Sequence, residues 1–198
     1  MPLYLNAVTP QVLWANLPAA SANTNKVFLV TDIGRGGSLW RSDGASWLPV
    51  GGSVVITESG VASSVTGTTS ITTLATITIP AGVMGTNGQL RITTLWSVNA
   101  NSANGKSGYV VFGATTYSTL TLTSTLSCQV QHIIRNRGVA NSQVGFTSSG
   151  SQIFQTSTSA VVTSTEDTAT AKTILLQGRV LTTTDTTTLE SYTVELIR

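Results

Sequence analysis

The chain has 198 residues, of which 40% are hydrophobic and only 9% charged, with a formal net charge of +2. The charged share of an average soluble domain is about 25%, so solubility here must come from the hydroxyls and amides of Thr, Ser, Asn and Gln. One cysteine excludes an internal disulfide and a cysteine-based zinc site, and ten Lys and Arg without a cluster exclude nucleic-acid binding through a basic footprint.

The first segment, MPLYLNAVTPQVLWANLPAASA, is interrupted by Pro2, Pro10 and Pro18, which forbid a continuous helix or central strand. Residues 1–25 are therefore expected to be an extended N-terminal arm whose Leu3, Leu5, Val12, Leu13, Trp14 and Leu17 seek a partner surface. Ala20-Ser21-Ala22 mimics a signal-peptidase site. No Lys or Arg precedes it, however, and Pro10, Gln11, Asn16 and Pro18 break the apolar stretch, so it reads as structure retained on the protein. No apolar run reaches the roughly 18 residues needed to span a bilayer, and no membrane insertion is expected.

Residues 26–52 predict a small three-stranded meander. Val27-Phe28-Leu29-Val30-Thr31, Leu39-Trp40-Arg41 and Trp47-Leu48-Pro49-Val50 form its strands, turned by Asp32 to Gly37 and by Asp43-Gly44. Trp40 and Trp47 are its expected core, since one buried aromatic removes on the order of 150–250 Å² from water. Gly34-Arg35-Gly36-Gly37 lacks the spacing of a phosphate-binding loop, and no helix follows it.

Gly51-Gly52-Ser53 reads as a joint, and Val54-Val55-Ile56 opens the next unit. Between about residue 60 and residue 198, strands alternate with turn-rich gaps. Ile71, Ala75, Ile77 and Ile79 alternate with Thr, and Leu90, Ile92, Trp96 and Val98 alternate after Thr86-Asn87-Gly88. Tyr109 to Phe112 is a short strand. Leu120, Leu122, Leu126, Cys128, Val130, His132 and Ile134 share one parity. Shorter pieces are marked by Val144 and Phe146, by Ile153 and Phe154, and by Val161 and Val162. Ile174 to Val180 and Leu189 to Arg198 read as a last hairpin around the Thr-rich stretch 182–188. About eight strands with regular turn signals predict an all-β fold, a β-sandwich of jelly-roll type carrying the small module at its N-terminus.

No catalytic, cofactor or metal site is expected. His132 lies on the apolar parity of Cys128 and Val130 and reads as a packed residue. At about 3.3 Å per residue, His132 and Cys128 would sit some 13 Å apart on a straight strand, too far for a dyad. Arg135 and Arg137 read as a solvated turn, Glu166-Asp167 as a solvated turn or at most half a calcium site, and neither a GxSxG elbow nor HExxH occurs. The candidate binding residues are Trp96 and Tyr117 with Asn99, Asn101 and Asn104 of the Asn99–Gly108 loop, because aromatics beside amides suit the faces and hydroxyls of sugars.

Two stretches carry a resemblance. VFLVTDIGRGGSLWRSDGASWLPVGG (Val27 to Gly52) resembles a small N-terminal module of tailed-bacteriophage fibre and other virion proteins. ITIPAGVMGTNGQLRI (Ile77 to Ile92), IRNRG (Ile134 to Gly138) and TLESYTVELI (Thr188 to Ile197) resemble the jelly-roll heads of such proteins. The resemblance implies a non-enzymatic virion protein, assembled in the host cytoplasm as a homotrimer. Residues 1–52 would contact other virion proteins, and the β head would be exposed, where it could meet a host surface glycan. A tail fibre or spike, a head-fibre or capsid decoration protein, and a free carbohydrate-binding lectin are the roles it leaves open.

Overall fold

A computed structural model describes residues 9–99, 103–123, 125–146 and 159–198. Fifteen strands are described in these segments: β1 (Gln11–Val12), β2 (Val27–Val30), β3 (Ser38–Ser42), β4 (Trp47–Pro49), β5 (Ser53–Ser59), β6 (Ser63–Thr66), β7 (Thr72–Ile79), β8 (Gln89–Val98), β9 (Lys106–Phe112), β10 (Thr115–Leu122), β11 (Ser127–Asn136), β12 (Gln143–Gly145), β13 (Val162–Ser164), β14 (Lys172–Val180) and β15 (Thr186–Ile197). The expected all-β sandwich is present. One layer is a four-stranded sheet in the order β10-β9-β14-β7. The other runs β13-β12-β11-β8-β15-β5, with β6 paired to the first half of β15.

Alternation makes the sandwich. On β8, Leu90, Ile92, Trp96 and Val98 point inward and are buried, as are Cys128, Val130, His132 and Ile134 on β11. Leu120 and Leu122 share their parity but lie on β10, in the opposite sheet, so the single apolar face expected from Leu120 to Ile134 is two faces meeting across the core. Leu126, between them, is 57% exposed. The interior is closed by two glycines standing where a side chain would collide. A Cβ on Gly108 would lie 3.0 Å from the Trp96 indole, and one on Gly145 would lie 2.5 Å from the Tyr117 ring. Gly145→Ala is therefore expected to overpack the core and cost about 1–3 kcal/mol, read as a lowered denaturant midpoint.

The last two strands correct an expectation. β14 and β15 do not form a hairpin: β14 pairs with β7 and β9, while β15 pairs with β8, β5 and β6. The turn between them carries the chain from one sheet to the other. Twelve residues long, β15 can serve both β6 and β5, with a bulge at Leu189/Ser191 against β8 and one at Val194/Glu195 against β5.

The N-terminal residues form a four-stranded sheet in the order β1-β2-β3-β4, with β1 pairing in parallel with β2. Trp40 is fully buried and Trp47 nearly so. Trp14 packs on Trp40 with ring centroids 4.7 Å apart, and Phe28 meets Trp47 edge-on at 5.2 Å. Each of these indoles has an acceptor: Trp14 donates to the Ala81 carbonyl (2.7 Å), Trp40 to Ser38 Oγ (2.8 Å) and Trp47 to the Pro18 carbonyl (2.8 Å).

Two expectations about organisation change accordingly. Residues 9–25 are not an outstretched arm; they lie on the chain's own module through β1, Trp14 and the Pro18 carbonyl. Gly51-Gly52 is a tight turn rather than a slack joint. Both residues have positive φ, and the Gly52 amide and carbonyl bond to the Pro49 carbonyl and the Arg198 amide. The module's buried residues belong to the same apolar cluster as those of the sandwich. Arg198 ties them further, donating from Nη1 to the carbonyls of Trp47 (2.7 Å) and Val83 (3.3 Å).

Candidate functional site

Strand directions give the sandwich two unlike ends. At one end, β9 begins beside the ends of β10 and β14 and the beginning of β7, and in the second sheet β8 and β6 end where β11 and β15 begin. The segments 67–71, 103–105, 125–126 and 181–185 thus share the end away from the module, where Thr69, Ser70, Asn104, Thr183 and Thr184 are exposed. At the opposite end the module meets the 80–88 segment through Trp14 and Ala81.

Of the five predicted binding residues, the four among the described residues do not gather on this surface. Trp96 is fully buried, its indole N–H satisfied by Thr94 Oγ1 at 2.9 Å. Tyr117 is 2% exposed, and its hydroxyl bonds Ser164 Oγ at 2.6 Å. Neither ring can be offered to a sugar. Asn99 is turned inward to its own neighbours, accepting from the Thr186 amide (2.7 Å) and donating to the Thr184 carbonyl (3.3 Å). Asn104 is exposed and donates to Thr182 Oγ1 at 2.6 Å. Asn101 lies outside the described residues, as do Ile153 and Phe154. The expected loop is also shorter than Asn99–Gly108, because β9 starts at Lys106.

Beneath these segments lies a pair that sequence reasoning missed. Lys106 Nζ stands 3.4 Å from Asp185 Oδ2, and both side chains are wholly shielded from solvent. Lys106 Nζ also donates to the Asn104 carbonyl at 3.1 Å, while Thr66 Oγ1 donates to the Asp185 carbonyl at 2.9 Å. The pair joins the start of β9, the 181–185 turn and β6 into one base. A Lys next to a glycine in an Asn/Ser/Gly-rich stretch carries no signal of burial, so nothing in the sequence marks it.

A second buried polar group lies at the other end of β11. Gln143 Nε2 is within 2.9 Å of Asn136 Oδ1 and of the Ala140 and Glu166 carbonyls, and its Oε1 accepts from Ser164 Oγ. Asn136 in turn donates to Thr168 Oγ1. Closed polar networks of this sort fix a unique register, here that of β11, β12 and β13.

All eight carboxylates have partners. Asp32 accepts from the Trp14 amide, Asp43 from Ala45 and Ser46, and Asp167 from Ala169. Glu58, Glu166, Asp185 and Glu195 pair with Arg35, Lys172, Lys106 and Arg91, and Glu190 accepts from Ser97. The Ala114 amide, with Lys172 behind it, holds the Glu166 carboxyl below its ordinary range; turn amides do the same for Asp43. Glu166 is therefore a brace, not half a calcium site. Among the described residues no group of three or more His, Cys, Asp and Glu could hold a metal ion, and no helix is long and apolar enough to cross a membrane.

His132 and Cys128 both face the interior of β11. Burial pushes the Cys128 thiol up and the His132 imidazole down to about 4. A thiol held protonated is a poor nucleophile. Comparison of the chain with protein-family models, curated proteins and solved structures returned no match.

Proposed function

We propose that the chain is a non-enzymatic structural protein of a tailed-bacteriophage particle, working as a homotrimer. Residues 1–52 face the particle, and the far end of the β head faces outward. The observation that carries this reading is the polarity of the molecule. An aromatic-cored module is fused through a shared core to one end of a sandwich, and segments bearing exposed hydroxyls and amides converge at the other. The resemblance of Val27 to Gly52 to virion modules supports it.

The burial of Trp96 and Tyr117 shifts weight among the roles. A fibre or spike that contacts a host surface would do so through Asn104, Ser70, Thr183 and Thr184, without an aromatic platform at the predicted positions. A capsid-decoration or head-fibre protein needs only attachment and stability, and the loss of both aromatic candidates favours that second reading over sugar capture.

The deciding measurement is the solution mass of the full-length chain by light scattering. The module shares the core, so removing residues 1–52 would uncover apolar surface and confuse the answer. A mass three times the 20.6 kDa of the chain, held on dilution, is the expected result. A persistent 20.6 kDa species would sink the threefold arrangement and leave a monomeric decoration protein or lectin.

A further inference from the structure

The module sheet has two faces of different fate. Phe28, Trp40, Trp47 and Pro49 turn toward the shared core. The other face presents Val27, Arg41 and Leu48 in one cross-strand row, since Val27 pairs with Arg41 and Arg41 with Leu48. Leu29 and Leu39 are paired in the next row, which Val50 extends by donating its amide to the Leu39 carbonyl. Leu39 is 44% and Val50 52% exposed. Gln11, which β1 pairs with Leu29, is the amide side chain of the second row; the other members of the two rows are aliphatic or Arg41. An uncovered aliphatic sheet face marks an interaction surface.

Beside Leu48 and Val50 the face drops into a groove of about 410 Å³, floored by Gly51 and Gly52 and flanked by Arg41 and Arg198. Arg41 is exposed and belongs to none of the ion pairs among the described residues. Arg198 is largely desolvated, spends Nη1 on neutral carbonyls and already feels the charge of Asp43. The Arg41 guanidinium at the margin of this aliphatic face fits a carboxylate, which Arg binds in a fork geometry.

A second copy of this chain does not meet that need. A twofold contact through this face would set Arg41 against Arg41, and each of the chain's own carboxylates is already engaged internally.

We propose that the outer face of the module sheet, Val27, Leu29, Leu39, Leu48 and Val50 with Arg41 and Arg198 at its margin, docks an aliphatic, carboxylate-bearing segment of a different protein. The proposal rests on the reading of the chain as a component of a larger assembly. It names the surface and the partner's chemistry.

The test titrates the full-length chain into two labelled peptides, acetyl-Val-Glu-Val-Leu-Glu-Val and the same sequence with Lys in place of Glu. The Glu peptide is expected to bind at least about tenfold tighter, a difference of about 1.4 kcal/mol. Arg41→Glu should erase or reverse that preference without changing the melting temperature, and Leu39→Ser should weaken both peptides. Equal affinities, undetectable binding of the Glu peptide, or indifference to Arg41→Glu would each overturn the proposal. Light scattering keeps it separate from the threefold assembly. A trimer without the Glu preference sinks the docking face alone. A monomer that binds the Glu peptide through Arg41 keeps the face and sinks the trimer.

Discussion

Lys106→Met is expected to destabilise the protein by about 3–5 kcal/mol, because breaking a buried pair leaves the other charge uncompensated. Lys106 and Asp185 are both fully shielded, so water cannot screen what remains. The substitution preserves most of the stem volume and isolates the effect of the charge. At roughly 2–4 °C per kcal/mol for a chain of this size, the melting temperature should fall by about 6–20 °C. Lys106→Met combined with Asp185→Leu should recover most of the loss, since replacing both members of a buried pair by packed apolar groups is often neutral or better. Thermal melts of the wild type, the single variant and the double variant decide it. A single variant melting within a degree or two of wild type would show that the pair contributes little. The loss should also be felt locally, in faster amide exchange of the 181–185 turn, which the pair anchors to β9.

The second large effect is acid sensitivity at His132. Its imidazole is 5% exposed, Nε2 has no hydrogen-bond partner, and its cross-strand neighbour is Ile92. Burial holds the folded-state pKa at about 4 against 6.5 for the free side chain. The unfolded chain therefore binds a proton more readily throughout that window. Stability from this residue is complete above about pH 6.5, is lost as the pH falls from there to about 4, and changes no further below that. The total is about 3 kcal/mol, of which about 2 kcal/mol is gone by pH 5.0. Urea melts at pH 7.5 and 5.0 on wild type and His132→Leu measure it. The wild type should lose about 2 kcal/mol more than the variant between the two conditions. Equal losses would mean that the carboxylates, not His132, set the acid limit.

Much of the architecture was legible because strands buried on one face write their period into the sequence. Leu90, Ile92, Trp96 and Val98 announce β8, and the spacing of Trp40, Asp43-Gly44 and Trp47 announces a hairpin. The same alternation held the correct answer for Trp96, whose parity is that of three core aliphatics. Reading it as a surface aromatic set residue type above position. Tyr117 is a different case. Parity from Leu120 and Leu122 puts Ser118 inside and Tyr117 outside, but a register shift between Thr116 and Ser118 turns both inward. A bulge has no reliable sequence mark, so that error could not have been avoided by counting.

The partner of each strand was not legible. Ile174 to Val180 and Leu189 to Arg198 look like neighbours because a turn joins them, whereas sheet choice depends on which apolar faces close the core. Lys106–Asp185 and Gln143–Asn136 are invisible for a related reason. A buried polar residue is identified by partners 79 or 7 positions away in sequence, as the contacts show, and nothing at its own position distinguishes it from a solvated one.

The placement of β15 also fixes the order in which the molecule can be made. β5 pairs with β15 and with no other described strand, as does β6, and Arg198 reaches back 151 positions to Trp47. During synthesis the strands at 53–66 must therefore wait, with unpaired edges, until residues 186–197 leave the ribosome. Long-range pairings of this kind fold slowly and expose sticky intermediates. A chain released before Thr186 would lack the strand that joins β5 and β6 to the sandwich, making translation to the end of β15 a built-in quality check on the fold.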